Sequence, residues 1–251
     1  MNRTRFQRPL FPGAVLHGNQ LWLSELLSVA LLAVVMGGLF ALAVGIRANS
    51  VRAANNLRLM AELEREDLQL RYEIERHRAQ YRLLSALRGF IGKRIPEDRL
   101  YLLTYLVFHN SQQFGYDPLL VLAVIRVESY FDPRARGMYK SGRESGALGL
   151  MQLKYATAEL VAAELGIELN SEADLFKPEI NIPLGIGYLT KQIRFFESFK
   201  LGILAYNQGP GTILNDLKAR RPLSVKYYRL VLEAYYKLKR IADEMEERGE
   251  L

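Results

Sequence analysis

With 251 residues, 49% of them hydrophobic and 24% charged, the chain has the balance of a folded protein and the length for one or two domains, which excludes wholesale disorder. Its net charge of +7 suits an acidic partner such as a polyanionic wall or phospholipid head groups, and equally suits Lys and Arg spread over solvated helix faces. There is no cysteine, hence no disulfide, no lipid-modified Cys and no thiolate metal site; His17, His77 and His109 are too scattered to form a metal centre, so neither metal nor cofactor is expected.

Residues 1–25 form a short basic N-terminal segment. Residues 26–46, LLSVALLAVVMGGLFALAVGI, carry no charge, and at about 1.5 Å per residue such a run covers roughly the 30 Å of a bilayer core. The reading is one transmembrane helix in a bacterial inner membrane, with Trp22 at the interface. Two rivals stand beside it: a signal peptide cut after Ala41-Leu42-Ala43, and a buried core helix. The run exceeds the apolar core of about 7 to 15 residues usual in secretory signals, which favours the anchor. Arg3, Arg5 and Arg8 precede the run while Arg47 and Arg52 follow it, a small excess that favours a cytoplasmic N-terminus and a periplasmic remainder.

Residues 47–95 read as a helical stalk. From 51 to 94 there is no proline, and a stripe at heptad spacing runs through Met60, Leu63, Asp67, Leu70, Ile74, His77, Tyr81, Leu84, Arg88 and Ile91. Asp67, His77 and Arg88 interrupt it. The pattern suits a solvated spacer, with a weak coiled coil or packing on the next domain as alternatives. Gly89, Gly92 and Pro96 place a domain boundary near residue 95.

Residues 96–251 read as an all-α domain with helices at 97–113, 118–129, 149–165, 180–197, 200–207, 210–219 and 224–247. Gly115 and Gly166 act as stops, and Asp117-Pro118 as a start. On 118–129, Glu128 follows Val121, Val124 and Ile125 by seven, four and three residues and so shares their apolar stripe, whereas Arg126 projects roughly 200° away. Desolvation raises the pKa of a carboxyl so placed, which suits a general acid working near neutral pH. A Glu hydrogen-bonded to loop amides for purely structural reasons would occupy the same position.

Downstream stand SGALGLMQL (145–153) and ILAYNQGPG (203–211). Together with Glu128-Ser129, with DLFKPEINIPLGIGYL (174–189) and with a weaker match around Tyr227, they resemble the motifs of the soluble-type, goose-lysozyme-like lytic transglycosylase catalytic domain over about residues 100–240. The resemblance implies a lysozyme-like helical fold, here preceded by one transmembrane helix and a stalk. It also implies cleavage of the β-1,4 bond between N-acetylmuramic acid and N-acetylglucosamine in peptidoglycan. Glu128 matches the family's catalytic acid, which protonates the leaving oxygen and then takes the proton of the muramoyl C6 hydroxyl as a 1,6-anhydro ring closes. Met151 and Gln152 match positions lining the sugar cleft, with core packing as the alternative for Met151. Gly149 lets backbone approach closely, Tyr206 matches the tyrosine that orients the acid, and Asn207 and Ser129 match substrate or loop positions. Tyr227 is a candidate to close the cleft.

The chain departs from that pattern in places. It carries a longer connection between Glu128 and GLMQ, and Gly137 where a cleft serine is common, with Ser141 or Ser145 as substitutes. Lys154-Tyr155 stands where Met-Pro is usual, and Leu223-Ser224 where Glu-Thr is usual. Asp132 and Glu144 are possible second carboxylates for a hydrolytic, lysozyme-like muramidase, Asp132 reading otherwise as a turn residue. A non-catalytic envelope scaffold or glycan-binding protein is a further alternative, as is an accessory enzyme of an envelope machine. The expected partners are peptidoglycan strands and, through 26–46, the membrane. Dispersed Lys and Arg argue against nucleic acid.

Overall fold

The computed structural model describes residues 16–248, without the side chains of 16–21 and 93. Most of the basic segment expected over 1–25, including Arg3, Arg5 and Arg8, lies outside the described residues. Two compact units divide the chain, one ending at Arg71 and the other beginning at Tyr72.

Helix α1, Leu16–Ile91, contributes to both. In the first unit every residue of 26–46 is exposed, so the chain's own packing does not cover this run and a buried core helix is excluded. The segment is long and apolar enough to cross a membrane.

In the second unit, the last turns of α1 belong to the globular core, although the sequence suggested a boundary near 95. Leu83, Leu84, Ala86, Leu87 and Ile91 are buried with Leu100 and Phe108. The physical reason lies in LLSALRGFI (83–91), which is apolar on more than one helix face and needs cover. Of the heptad stripe, Leu84 and Ile91 enter this core, while Met60, Leu63, Leu70, Ile74 and Tyr81 stay exposed.

Seven further α-helices follow among the described residues: α2 (Glu97–Phe114), α3 (Pro118–Ser129), α4 (Tyr155–Leu165), α5 (Pro178–Phe196), α6 (Phe199–Gln208), α7 (Pro210–Lys218) and α8 (Lys226–Glu247). The start of α3 has the expected chemistry, with the Asp117 carboxylate accepting from the Leu119 N–H at 2.9 Å and Pro118 in the first turn. The domain is helical as expected, with one addition. Between α3 and α4 lies a small antiparallel sheet in the order β1 (Arg136–Met138), β2 (Glu144–Leu148), β3 (Leu153–Lys154). Its strands are too short and too rich in Gly and Ser to show an alternating pattern. The helix expected from 149 therefore begins at Tyr155, because 149–152 form a turn and Leu153 and Lys154 pair with Leu148 and Ala147.

Helix α5 packs against α2, α4 and α6, while α8 lies along α3. Leu122, Ile125, Met151, Leu184, Ile186 and Ile203 have no accessible surface. Tyr227, Val231, Ala234, Leu238 and Ala242 repeat at helical spacing along the buried face of α8. Glu128, near the end of α3, is thus brought beside the first turn of a helix about a hundred residues further on.

Candidate active site

A cleft of about 630 Å³ is lined by Glu128, by the sheet residues Gly137, Met138, Ser145, Ala147 and Lys154, by Gln152, and by Tyr188, Tyr206 and Asn207 from α5 and α6. Glu128 is the one carboxyl side chain in this lining among the described residues. It is half-buried. Burial pushes its pKa from the ordinary 4.5 up to about 7, against the opposing effect of a hydrogen bond from Tyr227. The Tyr227 hydroxyl donates to Glu128 Oε1 at 2.5 Å, and burial holds that phenol well above its usual range. Arg126 faces elsewhere, its guanidinium 3.6 Å from the centre of the Tyr130 ring.

The tyrosine bonded to the acid is therefore Tyr227, whereas the motif resemblance gave that part to Tyr206. The Tyr206 hydroxyl donates instead to the Met151 carbonyl at 2.6 Å, and its ring packs 5.3 Å from that of Tyr188. It lines the cleft and braces the 149–152 turn. Met151 itself is fully buried. A Cβ on Gly185 would meet its sulfur at 2.3 Å, so the Met151 side chain packs into the core and leaves the cleft to its neighbours.

The turn is held by Asn181, which the sequence reading did not single out. Asn181 is fully buried. Its Oδ1 accepts from the Met151 N–H at 2.7 Å, and its Nδ2 donates to the carbonyls of Leu175 at 2.8 Å and Leu148 at 3.1 Å. The detectable signal was a lone amide in the apolar run Ile180 to Leu184, where an Asn needs partners in the interior. Gly149 is required beside it: its φ is +77°, and a Cβ there would lie 2.1 Å from the Leu175 carbonyl oxygen. Tyr188, also in the 174–189 segment and also passed over, supplies part of the cleft wall.

Gln152 sits at φ 49° with its amide nitrogen donating to the carbonyls of Gly149 at 2.8 Å and Ala135 at 3.1 Å. Both N–H groups are thus spent on the loop, which leaves Oε1 as its acceptor toward the cleft. Gly137 is explained by crowding, since a Cβ there would come within 2.3 Å of Ser145 Oγ and 2.8 Å of Gln152 Oε1. Ser145 fills the space where a serine at 137 would point, and it lines the cleft; Ser141 is exposed and outside the lining.

Ser129 is buried with its hydroxyl donating to the Ile125 carbonyl at 3.1 Å, a bond within the helix, and it does not line the cleft. Asn207 is exposed on the cleft wall. The two other carboxylates lie outside. Asp132 accepts from the Arg134 N–H at 2.9 Å as a turn residue, and Glu144 is exposed and paired with Arg136 at 3.4 Å.

A helical domain that holds one half-buried carboxyl of near-neutral pKa in an open groove can give and take a proton there. Residues 105–228 match the Transglycosylase SLT domain family, a resemblance to lytic transglycosylase catalytic domains. The chain is 32% identical over 123 residues to membrane-bound lytic murein transglycosylase C of Edwardsiella ictaluri, covering 43% of this chain and 32% of that protein. It is 32% identical over 115 residues to membrane-bound lytic murein transglycosylase F of Desulfosudis oleivorans, covering 43% and 22%. The matched stretch thus spans about a third or less of these relatives. Among solved structures, an inactive mutant of lytic transglycosylase Slt from Pseudomonas aeruginosa is 29% identical, with a TM-score of 0.41 over 55% of this chain and 22% of that one.

Proposed function

We propose that the protein is a membrane-anchored peptidoglycan lytic transglycosylase that cleaves the β-1,4 bond between N-acetylmuramic acid and N-acetylglucosamine and leaves a 1,6-anhydro-muramoyl end. The observation that carries this reading is Glu128, the cleft's one carboxyl among the described residues, with its pKa pushed up to about 7. A group in that range is protonated often enough to act as an acid and ionises readily enough to act next as a base.

Tyr227 donates to Oε1, which leaves Oε2 to carry the proton toward the glycosidic oxygen. When that proton leaves, the Tyr227 hydrogen bond becomes charge-assisted and stabilises the carboxylate in a site where water would otherwise have done so. The carboxylate then removes the proton of the muramoyl C6 hydroxyl as its oxygen attacks C1. Hydrolysis by two flanking carboxylates calls for a second acid roughly 5 to 9.5 Å away, and Asp132 and Glu144 are both engaged outside the cleft lining.

Residues 26–46 serve in this reading as one span of a bacterial inner membrane, with the catalytic domain in the periplasm. The uncharged, uncovered run supports it, as does the membrane-bound description of the relatives. The remaining stalk holds the domain within reach of the wall.

The test is mass spectrometry of soluble products after the purified full chain, in detergent, meets isolated peptidoglycan. Anhydro-muropeptides are expected from the parent protein and none from Glu128→Gln. Products with reducing ends would replace this reading with hydrolysis, and release by Glu128→Gln would remove the acid.

A further inference from the structure

Lys154 stands where the motif resemblance expects an apolar residue, and the fold puts it on the substrate side. It pairs with Ala147 across β2 and β3, so both side chains share one face of the small sheet. Ala147 and Ser145 line the cleft on that face, as does Lys154 itself, which is exposed. On the β1–β2 hairpin, the Arg143 guanidinium lies 5.5 Å from the centre of the Tyr139 ring, and Tyr139 also lines the cleft.

The charges of this wall do not cancel. Glu144, the acid of the hairpin, is taken by Arg136, and neither Lys154 nor Arg143 has a carboxylate partner among the described residues. Nor does Lys154 serve the acid, since the causes acting on Glu128 are burial and Tyr227. An unpaired ammonium lining a groove, with no ion pair to the one carboxyl there, is free to meet an anion on the ligand.

Resting on the peptidoglycan reading above, we propose that Lys154 is a specificity-determining residue that binds a carboxylate on the muramoyl side of the glycan. That carboxylate has two chemical sources. One is the free lactyl group of a muramoyl unit without peptide; the other is a carboxyl of the peptide attached there.

The experiment uses the full chain in detergent with solubilised glycan of three kinds: peptide-free, peptide-bearing, and peptide-bearing with its carboxyls converted to methylamides. Lys154→Met is expected to raise KM for one carboxylate-bearing glycan about three- to tenfold with kcat nearly unchanged, the range for a charge-assisted contact at a partly exposed site. KM for the amidated glycan should stay put. Whichever of the first two substrates responds identifies the source, and Lys154→Arg should restore it. Selectivity in the parent protein should fade as salt rises.

Calorimetric binding of the same glycans to Glu128→Gln, with and without Lys154→Met, reads the contact without turnover. If that binding discriminates while the parent protein cuts no glycan, the cleavage reading fails and the carboxylate site stands. If cleavage proceeds and Lys154→Met changes all three substrates equally, or none, the site is overturned.

Discussion

Replacing Glu128 by Gln tests the central physical claim through stability as well as through rate. In the folded protein the Glu128 carboxyl has a pKa raised from 4.5 to about 7, so the folded chain holds a proton that the unfolded chain releases between those values. Stability from this group is fully present below about pH 4.5 and is lost as pH rises through about 7. At about 1.4 kcal/mol per pH unit the whole loss amounts to about 3 kcal/mol. Gln keeps the shape and an oxygen to accept from Tyr227 and has no charge to bury. The variant should therefore match the parent near pH 4.5 and exceed it by up to about 3 kcal/mol at pH 8, or about 6 to 12 °C in Tm for a unit of this size. The assay is the difference in Tm between the two full-length proteins in one detergent across pH 4.5 to 8, in which every other titrating group cancels. A difference that is flat with pH, or that grows toward acid, would refute the buried neutral carboxyl.

The other predictions concern the groups that hold this acid and its loop. If Glu128 must be protonated to start the reaction, kcat/KM of the parent falls above about pH 7. Tyr227→Phe removes the bond that opposes desolvation, so this limb should move to higher pH while the maximal rate drops about tenfold or more; a limb moving to lower pH in a pH–rate profile would contradict the assignment. Asn181→Ala deletes three buried hydrogen bonds around the 149–152 turn and should destabilise by about 2 to 4 kcal/mol, with loss of glycan binding, as measured by thermal melting and calorimetry. Gly149→Ala places a methyl 2.1 Å from a backbone carbonyl at φ +77° and should cost more than about 2 kcal/mol in the same melts.

The helices were legible because their signals are local. The Asp117-Pro118 start of α3 and the Gly115 and Gly166 stops each act through neighbouring backbone, and each appears at the expected position. The placement of Glu128 was legible for the same reason, since one helical period fixes its stripe. The sheet was not, because strands of two to five residues hold no periodicity and form through partners across a hairpin. The last turns of α1 pack into the core, an alternative the stripe left open, since a heptad pattern says that a face wants cover without saying which surface covers it. Met151 matched a motif position and turned out to lie in the core, as a lone Met often does.

The exchange between Tyr206 and Tyr227 is the most instructive of these, because it separates two jobs that a motif had merged. A buried carboxyl needs a donor, and a sharp turn of glycines and carbonyls needs one as well. Tyr206, near the end of α6, donates to the Met151 carbonyl and is spent there. The donor for Glu128 then has to come from α8, the helix packed along α3. That arrangement makes the acid depend on docking of the chain's last described helix: until Val231, Ala234 and Leu238 are buried, Tyr227 is not in place and Glu128 faces water. The raised pKa, the Tyr227 bond and the packing of α8 therefore form one cooperative unit, so substitutions in the apolar face of α8 should lower the pKa of an acid they never touch.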